Sequence, residues 1–592
     1  MLNNLNELLL QVQKPGRYIG GEWNSVRKEW TDDKIKVLLA FPEVYEVGMS
    51  YLGLKILYGI LNKRGDCLAE RVFSPWPDFE DVLRKNNISI FSLESRKPIK
   101  EFDIIGFSLA YELNYTNVLN LLDLGNIPVR SSERGDDDPL IIAGGPACFN
   151  PEPMAEFIDA FVIGDGEEAI CDIIENYRVV RRSPAPPIAK LAGSFPPSPR
   201  LRRTGVVRER LLRELAKIKG VYVPSLYEVN YNDDGTIRSF SPKEEGVAKK
   251  IEKRVTKDLD NSYYPTDQIV PYIQIVHDRI SLEIMRGCKH ACKFCQAGTT
   301  YRPRREKSRE KILELARETY SKTGYEEISL LSLSSGDHSN ITEVIESLNE
   351  IFRDKAVSIS VPSLRIEDII SKLPALISQV KKSGLTFAPE AGSECLRKVI
   401  NKNIDIGKLV AAVKESFRAG WRKIKLYFMI GLPTEKEEDL SAITDLLYKI
   451  SNSRREIDKK DAYVTASINA FVPRPHTPFQ WQAMEGIDSL DKKKDFLRQN
   501  TKSRMIELDF HSFRMGYLEA VFARGDRRLS ESIYEAWRSG LKFDGWKDFF
   551  NFDLWLNAFR KTGIDPDFYA ARLRSRDEIL PWDFIELDVS LR

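Results

Sequence analysis

Short apolar, β-branched runs alternate with amphipathic helical stretches along most of this 592-residue chain, and that alternation limits the fold more than any other feature. A strand that returns to its sheet after a helix runs parallel to its neighbour, because the crossover lays the helix on the sheet face. In the first third, 34–41, 88–93, 103–109, 140–143 and 160–163 read as buried parallel strands, with helices at 51–63 and 114–124. This predicts a doubly wound α/β sheet. From 271 the pattern starts again, with strands at 280–285, 327–331, 357–361, 385–388, 423–429 and 464–471 and helices at 308–321, 409–419 and 436–451. Six βα units predict an open partial barrel, in which functional groups lie on loops at the strand C-termini. From 501 the chain reads as helical and aromatic-rich.

Between these units the composition changes. Arg181-Arg-Ser-Pro-Ala-Pro-Pro187 and Phe195-Pro-Pro-Ser-Pro-Arg-Leu-Arg-Arg203 read as a linker. Residues 221–231 alternate and turn at Asn232-Asp-Asp-Gly235, the mark of a small β connector. The expected units are therefore 1–180, a linker and connector at 181–270, a barrel at 271–500 and a helical region at 501–592. The linker's positive charge suits a solvated basic segment better than an RNA contact, because no aromatics are interleaved with it.

Directly after the barrel's first strand stands Arg286-Gly-Cys-Lys-His-Ala-Cys-Lys-Phe-Cys-Gln-Ala-Gly298, with Cys288, Cys292 and Cys295 spaced C-x3-C-x2-C. Thiolates are the natural ligands of iron–sulfur clusters, and three from so short a loop hold a cube while leaving its fourth iron without a protein ligand. A structural zinc ion is the competing reading, but it wants four ligands, and His290 would have to supply the fourth from inside the same tight loop. Cys67, Cys148, Cys171 and Cys395 are scattered singly and read as small buried hydrophobes.

The spacing of the three cysteines and their place after a strand resemble the radical S-adenosylmethionine (SAM) superfamily. That resemblance implies a [4Fe–4S] cluster on Cys288, Cys292 and Cys295, with SAM bound at the open iron and cleaved by an electron from the cluster. It extends over nearly the whole chain, from Gly16-Arg-Tyr-Ile-Gly-Gly-Glu22 to Leu580-Pro-Trp-Asp583. Ser334-Ser335-Gly336-Asp337 resembles the superfamily's G-G-E segment, which contacts the SAM amino group, with Asp in place of Glu. Phe294 stands where an aromatic usually lies beside the adenine. Ser360-Val-Pro-Ser-Leu-Arg365 offers hydroxyl and guanidinium groups for ribose or carboxylate, and Glu390 in Ala388-Pro-Glu390-Ala-Gly-Ser-Glu394 is suited to accept from ribose hydroxyls. Met429-Ile-Gly431-Leu-Pro433 is similar to the adenine-backing segment. Each alone is also readable as a turn with a capping group. His476, among prolines, reads as stabilising its loop.

The first sheet's strand ends, Gly106-Phe-Ser-Leu109, Gly144-Gly-Pro146 and Gly164-Asp-Gly-Glu-Glu168, are similar to the Rossmann-like cobalamin-binding domain that precedes the barrel in many radical SAM enzymes. Where such domains place a cobalt-ligating histidine, in D-x-H-x-x-G, this chain has Glu43-Val-Tyr45-Glu-Val-Gly48. A phenol of normal acidity is a poor substitute for imidazole. Two readings remain open: cobalamin bound with no protein ligand to cobalt, or a scaffold that has lost the cofactor.

The resemblance implies an enzyme that modifies an unactivated carbon, with methylation as one form, and that draws electrons from a reductase, flavodoxin or ferredoxin. The alternative is a non-catalytic binding or assembly protein with a structural cluster. The substrate class stays open among RNA, protein and small molecules, since the 89 basic and 87 acidic residues nearly cancel. No cationic stretch precedes an apolar core at the N-terminus and no segment approaches a bilayer-spanning length, so a cytoplasmic chain is expected.

Overall fold

The computed structural model describes residues 5–182, 206–362 and 385–587. Strands β1 (Ile35–Phe41), β2 (Cys67–Phe73), β3 (Ile104–Ser108), β4 (Leu140–Gly144), β5 (Ala160–Val162) and β6 (Val221–Tyr222) form one sheet in the order β2-β1-β3-β4-β5-β6. The first five are parallel, and β6, from the expected connector, closes the edge antiparallel to β5. The central strands read as continuous apolar runs because both faces are buried, as the fully buried Val37, Ile105 and Ile141 illustrate. Helices Leu52–Lys63, Tyr115–Leu124 and Gly166–Arg182 follow β1, β3 and β5.

One strand is not where the periodicity placed it. Residues 88–93 make only an isolated bridge, Phe91 to Pro98. The edge position belongs to β2, whose Glu70 and Arg71 disguise it as a surface segment although every residue is buried. Arg71 is held there by two carboxylates, with Nη2 2.8 Å from Glu22 Oε2 and Nε 2.6 Å from Glu94 Oε1. A buried charge is tolerated only when paired in this way.

The connector forms a hairpin, Tyr227–Tyr231 with Ile237–Pro242, turning at Gly235 with φ +83°. Residues 183–205 of the expected linker lie outside the described residues.

The barrel's first three strands, Ile280–Glu283, Glu327–Leu331 and Ser358–Ser360, are parallel neighbours. The fourth to sixth, Leu385–Glu390, Lys423–Ile430 and Tyr463–Ala470, form a second parallel set. Among the described residues these two sets do not close into a barrel. Return helices Arg309–Thr323 and Ile406–Arg418 begin at the side-chain caps Ser308 and Asp405, each accepting a backbone N–H of the first turn. The region from 501, expected to be helical, opens instead with a seventh strand, Ile506–Phe510, parallel to the sixth. Its sequence, Ile-Glu-Leu-Asp-Phe, alternates in polarity, and only Ile506 is fully buried, as suits a sheet edge.

The helices beyond it strap back onto the first sheet. Asp544 accepts from Thr116 Oγ1 (2.7 Å) and Trp555 Nε1 (2.8 Å), and Arg527 pairs with Glu152 (2.8 Å). Trp555 is buried in these contacts and Trp582 in a separate group with Trp481 and Leu580, in keeping with a core role for the tail aromatics. No helix among the described residues is long and apolar enough to cross a membrane.

Candidate functional site

The cysteine loop leaves its strand through Gly287, at φ +83°. A Cβ there would lie 2.8 Å from the Tyr301 carbonyl and 2.9 Å from Arg304 Cα, so only glycine allows the loop to fold under its own end. The loop's outer side is gripped by the segment after helix Glu394–Val399: Lys293 N–H donates to Ile400 O (3.0 Å) and Asn401 Nδ2 to Ala291 O (2.8 Å). The three thiols are partly exposed and form no disulfide among the described residues. Burial pushes the Cys295 thiol up, and the neighbouring Cys292 and Cys288 add to that shift. The Gly298 N–H, 3.3 Å from Cys295 Sγ, acts in the opposite sense by favouring a thiolate. Three thiols on one short loop suit a shared cationic iron centre, which would favour their thiolate forms.

His290 points to the second strand's end. Its Nε2 lies 2.7 Å from Asp337 Oδ2, while Lys289 Nζ lies 2.8 Å from Oδ1. Burial raises the Asp337 carboxyl, but Lys289, Ser334 and His290 outweigh it and hold it below the usual range. Cys288, His290 and Asp337 bring their ligand atoms within 4.8 Å of one another, a set of three where tetrahedral zinc wants four.

The remaining strand-end residues surround the loop unequally. Ser335 and Gly336 are buried in a short 3-10 turn, where the Ser335 hydroxyl donates to Leu330 O at 3.2 Å. Ser360 Oγ donates to Glu327 at 3.1 Å, and Arg365 lies outside the described residues. Glu390 ends the fourth strand with φ +67° and pairs with Lys402 at 3.1 Å. Phe294 packs with Met429 on the apolar group of Ala391, Leu432 and Phe471, so the cysteine loop and the fourth, fifth and sixth strand ends meet there. Gly431 has φ +77°, and its N–H donates to Glu435 Oε1 at 3.0 Å. Glu435 and Lys402 join this group of strand-end residues. Glu435 was findable as the carboxylate that follows the fifth-strand glycine, whereas Lys402 carries no signal beyond its distance from Glu390.

A cavity of about 580 Å³ opens between the two parallel-sheet units. Its inner end is apolar, walled by Leu39, Ile142 and Val162 of the first sheet and by Leu57 and Ile170 of the flanking helices. Its outer end reaches Tyr301 and Arg302, at the close of the cysteine loop. The strand-end glycines are partly explained by the chain itself: a Cβ at Gly145 would lie 2.6 Å from Leu109 O, and one at Gly164 2.1 Å from Arg254 O. Tyr45 does not line this cavity. Its hydroxyl donates to Glu22 at 2.8 Å in the buried group around Arg71, and burial, then Glu22, pushes it far above the usual phenol range. The residues that the same loop turns to the cavity are Ser50, Tyr51 and Leu52.

The two units are locked beside the cysteines. Arg286, two residues before Cys288, pairs with Glu283 at 2.8 Å, Glu167 at 2.5 Å and Asp165 at 3.4 Å, and Arg305 meets Asp165 at 2.6 Å. The strand-end segment Gly164-Asp-Gly-Glu thus fastens the first sheet to the root of the cysteine loop.

Residues 53–191 match the model for the N-terminal region of radical SAM proteins, and 282–447 match that of the radical SAM superfamily. An uncharacterized protein of Methanocaldococcus jannaschii is 27% identical over 499 residues, 84% of this chain and 90% of that one. Among solved structures, the cobalamin-dependent SAM radical enzyme OxsB aligns with a TM-score of 0.46 at 13% identity, covering 89% of this chain and 72% of its own. The radical SAM methyltransferase TsrM from Kitasatospora setae gives 0.45 at 12%, covering 75% and 73%. The N-terminal match falls on the doubly wound sheet and the superfamily match on the strands around the cysteine loop: the chain belongs to the radical SAM superfamily and is a radical SAM enzyme.

Proposed function

We propose that this enzyme uses the radical made from SAM to modify an unactivated carbon, by methylation, of a substrate that meets the radical at the outer end of the 580 Å³ cavity. The observation that carries this reading is the cavity's lining, which joins the strand ends of the first sheet to Arg286 and to Thr300, Tyr301 and Arg302, on either side of the three cysteines. A cluster on Cys288, Cys292 and Cys295 supplies, when bound, the electron that splits SAM into methionine and a 5′-deoxyadenosyl radical, and cobalamin supplies, when bound, a carrier for the methyl group.

The chain's own groups have defined tasks in this proposal. Asp337, kept ionised by Lys289 and His290, receives the SAM ammonium. Glu390 takes the ribose hydroxyls, Phe294 with its apolar neighbours flanks the adenine, and the turn at Gly431 backs it. Ser335, Gly336 and Ser360 shape the second and third strand ends behind them. The Arg286 ion pairs keep water from entering between the two units beside the radical. The apolar wall of Leu39, Ile142 and Val162 would hold a cobalamin; the loop 43–52 offers cobalt no histidine, while His277 lines the same cavity. A flavodoxin, ferredoxin or dedicated reductase delivers the electron.

A purely structural cluster has no use for a cavity that flanks both ends of its loop. The test is an untargeted comparison of nucleosides, peptides and metabolites from cells with and without the gene, grown on methyl-labelled methionine. A labelled species lost with the gene and restored by the wild type, but not by the triple cysteine variant, is expected. Identical methylated pools would remove the methylation reading.

A further inference from the structure

Lys402 is the cation that the structure places between the fourth-strand carboxylate and the cysteine loop. Its Nζ lies 3.1 Å from Glu390 Oε1, with both side chains about one-seventh exposed (14% and 15%). The same Nζ is 6.0 Å from the centroid of Phe294, the residue just before Cys295. Its position is fixed by its backbone: the Lys402 N–H donates to Arg397 O at 2.8 Å, and the preceding Ile400 and Asn401 are the residues that grip the loop. Helix end, loop and ammonium are therefore tied to one another.

We propose that Lys402 sets the reduction potential of the cluster, making it easier to reduce, with Glu390 as the counterweight that limits the effect. This rests on the cluster reading above. A cluster on three thiolates gains one unit of negative charge when it accepts an electron, and the potentials of such centres follow net charge, hydrogen bonding and solvent exposure. A fixed ammonium in a site largely shielded from water favours the reduced form more than the oxidised form. Lys402 is paired with Glu390 and lies over Phe294, so it is a positioning residue whose charge acts on the loop from there.

The experiment measures the midpoint potential of the anaerobically reconstituted protein by dye-mediated titration, followed by visible absorption and electron paramagnetic resonance, without SAM. Lys402→Met is expected to keep full iron and to shift the reduced-to-oxidised ratio at fixed ambient potential at least about tenfold toward oxidised, which is about 59 mV for one electron. Lys402→Arg should restore the wild-type value. Glu390→Gln should shift the ratio the other way, because it removes the counterweight and leaves the ammonium. A fully loaded Lys402→Met protein with wild-type potential overturns the proposal. If that variant loses iron, Glu390→Gln decides, and a potential that does not rise overturns it. Wild-type protein that takes up no cluster overturns this inference and the cluster reading together, whereas a loaded cluster with unmoved potentials overturns only the role of Lys402.

Discussion

Replacing Arg286 by Met removes the one guanidinium shared by Asp165, Glu167 and Glu283 while keeping most of the side-chain volume. All four side chains are between 10% and 15% exposed, so the group is closer to a buried network than to a surface pair. Burial alone would depress the Arg286 guanidinium, and the three carboxylates reverse this and hold it well above its ordinary range. Breaking a buried pair by removing one partner costs about 3–5 kcal/mol, because the other partner stays behind uncompensated. Arg305 still covers Asp165, which puts the expected loss near the low end, about 3 kcal/mol. Urea unfolding followed by tryptophan fluorescence should show the first transition moving down by roughly 1 M or more. Adding Glu167→Gln to Arg286→Met should recover part of the loss by removing an orphaned charge. A loss under about 1 kcal/mol, the range of exposed ion pairs, would refute the claim that this network locks the two units.

Three further outcomes are expected. Cys288, Cys292 and Cys295 replaced together by Ala should abolish iron uptake on anaerobic reconstitution, since the other cysteines are dispersed; iron retained by that variant would contradict the assignment. His476 is buried, with Nε2 2.8 Å from Phe149 O, and burial lowers it from 6.5 to about 4. Its folded-state value is depressed, so its contribution of roughly 3 kcal/mol is present above pH 6.5 and lost as the pH falls toward 4; acid titrations of stability should flatten over that window in His476→Gln, and an unchanged slope would rule the group out. Tyr45→Phe deletes a buried hydrogen bond to Glu22 and should cost about 1–2 kcal/mol of stability, yet leave the visible spectrum of any bound cobalamin unchanged; an altered cobalt spectrum would place the phenol at the metal.

Much of the architecture is visible in the sequence because parallel strands buried on both faces announce themselves as apolar runs, as β1 and β4 do. β2 escaped because its Glu70 and Arg71 are partnered by residues far away in the chain, and periodicity cannot see a partner. Ile506–Phe510 escaped because an edge strand of mixed polarity is easily taken for part of a helical tail. The cysteine loop was legible from spacing alone, since three thiolates in eight residues have few other uses. Lys402 was not, because its distance from Glu390 and its place over Phe294 are products of the fold. Tyr45 shows the converse: a position matched by pattern, whose side chain the fold turns into a core of charged and aromatic groups.

The most direct test of the account is the fate of SAM on the reduced, reconstituted protein. Wild type is expected to release 5′-deoxyadenosine and methionine in equal amounts at a slow uncoupled rate, even without substrate. Asp337→Ala and Glu390→Ala should keep their iron but cleave more slowly, by on the order of a hundredfold if SAM is misplaced by about 1 Å. A wild-type protein with a full, reducible cluster that neither binds nor cleaves SAM would contradict the account at its centre.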